Sequence, residues 1–185
     1  LVRAGFHAPI PGIEYEIIIE PKMSFGTGHH STTALMLATI LAHKEQIQGK
    51  RVLDMGCGTG ILSIMAAKAG AKEIVGIDID EWAFNNAMEN MKNNGIDQVT
   101  IRIGDAALLA EEQPFDIILA NINRNILLND MHHYTSSLNK QGYLVMSGFY
   151  LQDLPMIREK AESLGLQYQS YKEDKNWVAV TFYKN

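Results

Sequence analysis

Three glycines at alternate positions, Gly56, Gly58 and Gly60, close the apolar run "VLDMGCGTG" (52–60) just ahead of "ILSIMAAKAG". Glycines after a strand let the backbone turn tightly and approach a ligand with no Cβ in the way. Their spacing bears on the ligand. A dinucleotide site uses G-x-G-x-x-G, whose third glycine packs helix against strand. Here Ile61 stands in that third place, which disfavours a pyrophosphate ligand. No Gly-Lys-Ser/Thr follows, so the sequence holds no P-loop there. Asp78 ends the next apolar stretch, "VGIDID", where a carboxylate accepts hydrogen bonds from ribose hydroxyls. Asp80 reads as the N-cap of the helix that follows. Cys57 reads as a small neutral filler, with no neighbouring His or Lys in sequence to activate its thiol.

The elements around these residues alternate. Strands are expected at 15–20, 51–55, 73–78, 99–104, 115–121 and 142–148, with closing strands near 167–172 and 177–183. Helices are expected at 31–44, 61–70, 81–95, 125–138 and 151–165. Ser31 or Thr32 reads as the first N-cap, and Gly95 as a C′ stop. Such alternation means an α/β domain with a mostly parallel sheet, covered on both faces. The short "KEDKN" turn predicts a hairpin, hence an antiparallel strand, at the C-terminal side. Trp82, Phe84, Met88 and Met91 read as packing residues of the helix after Asp80.

A length of 185 residues, 46% of them hydrophobic, suits one such domain. The formal net charge of -5 argues against a general nucleic-acid binder, which carries a basic stripe. The single cysteine precludes an intrachain disulfide and suits a reducing cytoplasm. No apolar run reaches the roughly 20 residues of a membrane span. The opening "LVRAGFHAPIPG" is turn-rich and lacks an initiator Met, and reads as a piece of a longer chain. Adjacent histidines at 29–30 and 132–133 lack the spacing of metal ligands, so no metal is expected.

"VLDMGCGTG" followed by "VGIDID" resembles the first two motifs of class I S-adenosylmethionine-dependent methyltransferases. The resemblance implies a Rossmann-like, doubly wound, seven-stranded sheet and S-adenosylmethionine as cofactor. The glycine loop would pass its methionine part, and Asp78 would hold its ribose. Asp105, in "GDA" (104–106), would lie near the adenine; a helix N-cap is an equal reading.

Two further stretches narrow the choice. "PKMSFGTGHHSTT" (21–33) precedes the glycine loop, and "ANIN" (120–123) ends the fourth strand of the alternation. Many amino-methyltransferases carry Asp/Asn-Pro-Pro-aromatic at the latter place. Asn121 keeps its first position, but Ile122 and Asn123 replace the prolines, which disfavours the adenine, glutamine and guanine groups that use them. The combination is similar to the PrmA family, which methylates amines of protein eleven of the large bacterial ribosomal subunit. "SGF" (147–149) and "NWVAVTFYK" extend the similarity toward the C-terminus. It implies cofactor contacts from Thr33, Gly56, Gly58, Gly60, Asp78, Asp105 and Asn121, with Phe25, Gly26 and Thr27 in a loop over the site. Asn121 would also be the catalytic residue that orients the amine. Simple capping remains the alternative for Thr32 and Thr33, and a strand-ending turn for Asn121. The resemblance divides the chain into a linker with a leading strand (1–20) and a methyltransferase domain (21–185). It places the family's substrate-docking domain outside this sequence. Its expected partner is a ribosomal protein, with no membrane and no direct nucleic acid, the oligomeric state being open. The rival readings are an rRNA methyltransferase on the same fold and a non-catalytic cofactor-binding domain.

Overall fold

The computed structural model describes residues 1–8, 10–20 and 30–185. Near its N-terminus β1 (Val2–Arg3) and β2 (Ile17–Ile18) pair in parallel as a small separate sheet. Helix α1 (Ser31–Ala42) follows, broken at His43 from the short α2 (Lys44–Ile47). Then come β3 (Arg51–Met55), α3 (Ile61–Lys68), β4 (Glu73–Asp78), α4 (Glu81–Asn93), β5 (Val99–Ile103) and β6 (Phe115–Asn121). The chain ends with α5 (Arg124–Ser137), β7 (Leu138–Tyr150), α6 (Leu154–Ser163), β8 (Leu166–Asp174) and β9 (Trp177–Lys184).

Strands β3 to β9 form one seven-stranded sheet in the order β5-β4-β3-β6-β7-β9-β8. Only β9 runs antiparallel to its neighbours. The expected fold is therefore present. Strand alternation divides the core. In β6, Ile118 and Ala120 join Leu127, Met131 and Tyr134 of α5 and Ile157 of α6. Ile117 and Leu119 join Met36 and Ile40 of α1 and Ile64 and Met65 of α3. Each fully buried Ile or Leu is worth about 1.5–3 kcal/mol, so helices are held on both faces of the sheet. The order reverses between β3 and β6, and ligands bind doubly wound sheets at the carboxyl ends beside such a switch point.

The differences from expectation have local causes. The strand expected at 15–20 shrinks to Ile17–Ile18, and along its other side the amides of Asn94 and Asn90 accept the Ile18 and Glu20 N–H groups. The N-cap of α1 is His30, not Ser31 or Thr32: its extended backbone aims Nδ1 at the Thr32 N–H, 3.3 Å away. A 3-10 turn over Ala106–Glu111, capped by Asp105, fills the crossover from β5 to β6. The hairpin between β8 and β9 turns through Lys175 (φ 49) and Asn176 (φ 69), the paired positive φ values that match strand twist. Trp82 does not pack: it is 80% exposed in the first turn of α4, whereas Met91 is buried. No described helix is long and apolar enough to cross a membrane.

Candidate active site

The carboxyl ends of β3, β4, β6 and β7 open into a cleft of about 900 Å³. Its wall includes Gly56 and Gly58, Asp78 and Asp80, Asp105, and Asn121. Gly148, Trp177, His30 and the inward face of α5 at Ile126, Asn129 and Asp130 close the rest. No lysine or arginine lines it among the described residues. Such a cleft favours a cationic ligand rich in hydrogen-bond donors and disfavours an anionic one.

The glycine loop is held from within. Gly56 N–H and Cys57 N–H both donate to the Ile77 carbonyl, at 2.8 and 3.1 Å. Gly58 N–H donates to Asp78 Oδ2 at 2.9 Å, and Asp80 N–H to Oδ1 at 3.1 Å. Asp78 is thus fixed to the loop, and the further acceptor positions of a carboxylate suit two ribose hydroxyls. Gly56 has φ +69, and a Cβ there would strike the Ile122 side chain. The loop after β3 therefore touches the segment after β6 directly. Gly60 faces Ala87 and Met91 of α4 rather than the cleft.

Asn121 ends β6 beside Ser147 of β7 and lines the cleft. Its Oδ1 is buried with no hydrogen-bond partner. A buried acceptor left unpaired costs about 1–3 kcal/mol, so this oxygen awaits a donor. Thr33 is fully buried, and its Oγ1 likewise has no partner; Thr32, not Thr33, reaches the cleft wall. Asp105 is the N-cap of the 3-10 turn, accepting Ala107 N–H at 2.9 Å, and it also lines the cleft. Arg124 is tied to Asp153 at 2.7 Å. His30 and the cleft residue Trp177 meet edge to face at 4.9 Å, and Tyr150 lies against Trp177 at 4.0 Å. Phe25, Gly26, Thr27 and His29 lie outside the described residues. Burial pushes the Cys57 thiol up, which suits a filler. Among the described residues no cluster of three or more His, Cys, Asp or Glu could hold a metal.

Asp54 was not singled out by sequence. The signal was an acidic residue inside an otherwise apolar strand. It is 1% exposed, and Oδ2 accepts Ser63 N–H at 2.9 Å and Ser63 Oγ–H at 2.7 Å. Its Oδ1 has no partner. The N–H of Ser63, in the first turn of α3, is thereby taken by an internal carboxylate. A pyrophosphate would need such groups, so the dinucleotide reading weakens further. Burial raises the Asp54 carboxyl from 3.8 to about 6; the Ser63 hydrogen bonds oppose the rise and the Asp78 charge adds to it. At pH below the unfolded value both states hold the proton and the site costs nothing. As pH climbs from 3.8 to about 6 the unfolded carboxyl ionises while the folded one holds its proton, and stability falls by about 3 kcal/mol in all, levelling off above 6. Asp54→Asn is free of that cost. Urea unfolding at pH 4 and pH 7.5 is therefore expected to show the variant gaining about 2.4 kcal/mol on the parent between the two. A difference independent of pH would mean that the carboxyl is not shifted.

Sequence comparison decides the family. The profile described as "Ribosomal protein L11 methyltransferase (PrmA)" matches residues 7–185. The chain belongs to this family. Within it, the ribosomal protein L11 methyltransferase of Phocaeicola vulgatus is 49% identical over 181 residues, covering 98% of this chain and 64% of its own length. That of Porphyromonas gingivalis is 52% identical over 182 residues, covering 98% of this chain and 62% of its own. The chain thus spans a little under two thirds of these PrmA relatives. The crystal structure of a ribosomal protein L11 methylase from Lactobacillus delbrueckii subsp. bulgaricus superposes with a TM-score of 0.90 at 28% identity, covering all of this chain and 94% of that one. The class I methyltransferase fold expected from the motifs is the fold observed.

Proposed function

We propose that the chain transfers methyl groups from S-adenosylmethionine to amines of ribosomal protein L11, at lysine side chains, the N-terminal amine, or both. The observation that carries this reading is the buried, unpaired Asn121 Oδ1 in a cleft that no lysine or arginine lines among the described residues. The cytoplasm is the compartment this substrate implies. Residues 21–185 form the methyltransferase domain in this reading, with 1–20 as its leading segment. Docking of L11 is assigned to the further length of the relatives.

The residues present fit the cofactor. It is cationic and offers ammonium and ribose hydroxyl donors. Asp78 and Asp105 supply acceptors on the cleft wall, where Asn121 Oδ1 is left without a partner. When bound, S-adenosylmethionine supplies a methyl group on a sulfonium, already activated to leave. The chain's own task is then position and desolvation. The attacking amine must be neutral, and a free lysine with a pKa of about 10.4 is neutral about once in a thousand near pH 7.4. Partial burial in the cleft lowers that value. Asn121 accepts an amine N–H through Oδ1 and turns the nitrogen lone pair toward the methyl group. Being uncharged, it does not hold the proton on.

The test is intact-mass spectrometry of unmethylated L11 after incubation with S-adenosylmethionine and this chain, beside a control without the chain. L11 is expected to gain mass in whole methyl steps. L11 left at its starting mass, while ribosomal RNA acquires methyl groups under the same conditions, would overturn the protein reading.

A further inference from the structure

Helix α4 and its C-cap carry asparagines at every fourth position, Asn86, Asn90 and Asn94, and therefore along one stripe. Asn94 grips the backbone of Ile18 from both sides: Oδ1 accepts Ile18 N–H at 2.9 Å and Nδ2 donates to the Ile18 carbonyl at 2.7 Å. One turn earlier, the fully buried Asn90 accepts Glu20 N–H at 3.0 Å. Its Nδ2 donates to the Thr59 carbonyl at 3.0 Å and to Asn86 Oδ1 at 3.3 Å. Residues 18 and 20 share one side of an extended segment, so two residues of strand match one turn of helix.

Asn90 differs from Asn94 in what it joins. Thr59 lies inside the glycine loop, between Gly58, whose N–H is held by Asp78, and Gly60. One buried amide thus connects that loop to the backbone of Glu20. Asn94 touches only the leading segment and its own helix.

We propose that Asn90 is a positioning residue for the cofactor: it sets the glycine loop through the Thr59 carbonyl and couples that loop to Glu20. The inference rests on the cleft being the cofactor site. A loop fixed in this way meets the ligand without being ordered at the moment of binding. Loss of the Thr59 bond leaves the loop held at Gly56, Cys57 and Gly58 but untethered from α4 at Thr59, and the ligand must then fix that part of its backbone. Coupling of this kind is reciprocal, so ligand binding tightens the Glu20 contact as well.

Titration calorimetry with S-adenosylhomocysteine compares the parent, Asn90→Ala and Asn94→Ala, each well below its own melting temperature. Both variants are expected to melt lower. Asn90→Ala is expected to bind about tenfold more weakly, and Asn94→Ala within about twofold of the parent. Equal affinity in both variants, or losses that simply follow melting temperature, would overturn the proposal. Amide hydrogen exchange of the parent needs no variant. S-adenosylhomocysteine is expected to slow exchange at Glu20 about tenfold and to leave Ile18 unchanged; unchanged exchange at Glu20 would overturn the coupling. A parent that binds no S-adenosylhomocysteine would instead sink the underlying reading of the cleft.

Discussion

Asn121→Ala is expected to lower kcat on L11 by about 10²- to 10³-fold, while affinity for S-adenosylhomocysteine stays within about threefold. The asymmetry follows from where the side chain sits. Its Oδ1 is buried at the end of β6, on the cleft wall, without an internal partner. On the proposed reading, removing it takes away the group that aims the amine and leaves Asp78, tied to the glycine loop, in place. Asn121→Asp separates orientation from charge. The acceptor remains, but a carboxylate stabilises the ammonium and raises its pKa. Its rate is expected to rise toward higher pH more than the parent's. Single-turnover rates beside calorimetric affinities make the measurement. Equal losses in rate and cofactor affinity for the alanine variant would end the orienting role and leave one in cofactor binding.

Gly148→Ala is expected to cost about 3 kcal/mol, or roughly 10 °C in melting temperature, and at least about tenfold in kcat. Gly148 lines the cleft with φ +99, and a Cβ there would strike the Ile122 carbonyl oxygen and lie 2.7 Å from its carbon. These are backbone atoms, so the clash is relieved only by moving the residue next to Asn121. Gly165→Ala is the control. It has φ +84 with nothing within 4 Å of an added Cβ, so it carries the conformational strain alone, about 1 kcal/mol. Thermal melts and kcat of the two variants give the comparison. If Gly148→Ala behaved like Gly165→Ala, the contact with Ile122 would not matter to the site.

The legible parts of the sequence were those with strong local signatures. Apolar β-branched runs marked β3, β4 and β6, and the alternate glycines with Asp78 marked the cleft. What escaped depended on partners distant in sequence. Asparagine reads as a cap or surface residue, so nothing in "NNAMENMKNN" announced that Asn90 and Asn94 would replace a strand partner for residues 18 and 20. Trp82 was expected to pack because it is large, but the buried positions of α4 are Ala83, Asn86, Ala87, Asn90 and Met91. The cap of α1 was missed because histidine is a poor statistical cap, although its Nδ1 reaches the same N–H. Thr32 and Thr33 differ by one residue, about 100° around a helix, which decides which of them meets the cleft.

The position of β9 bears on how the molecule comes into being. It is the last of the sheet's strands in sequence, yet it lies inside, between β7 and β8. Until residues 177–184 arrive, β7 presents an open hydrogen-bonding edge and β8 has no neighbour in the sheet. Trp177, which walls the cleft, is set only when that strand docks. During synthesis the glycine loop, Asp78 and Asn121 have therefore all been translated before the cleft is whole. A growing chain therefore carries an incomplete cleft and an adhesive edge, and the cleft is whole only once the hairpin at Lys175–Asn176 has brought β9 between β7 and β8.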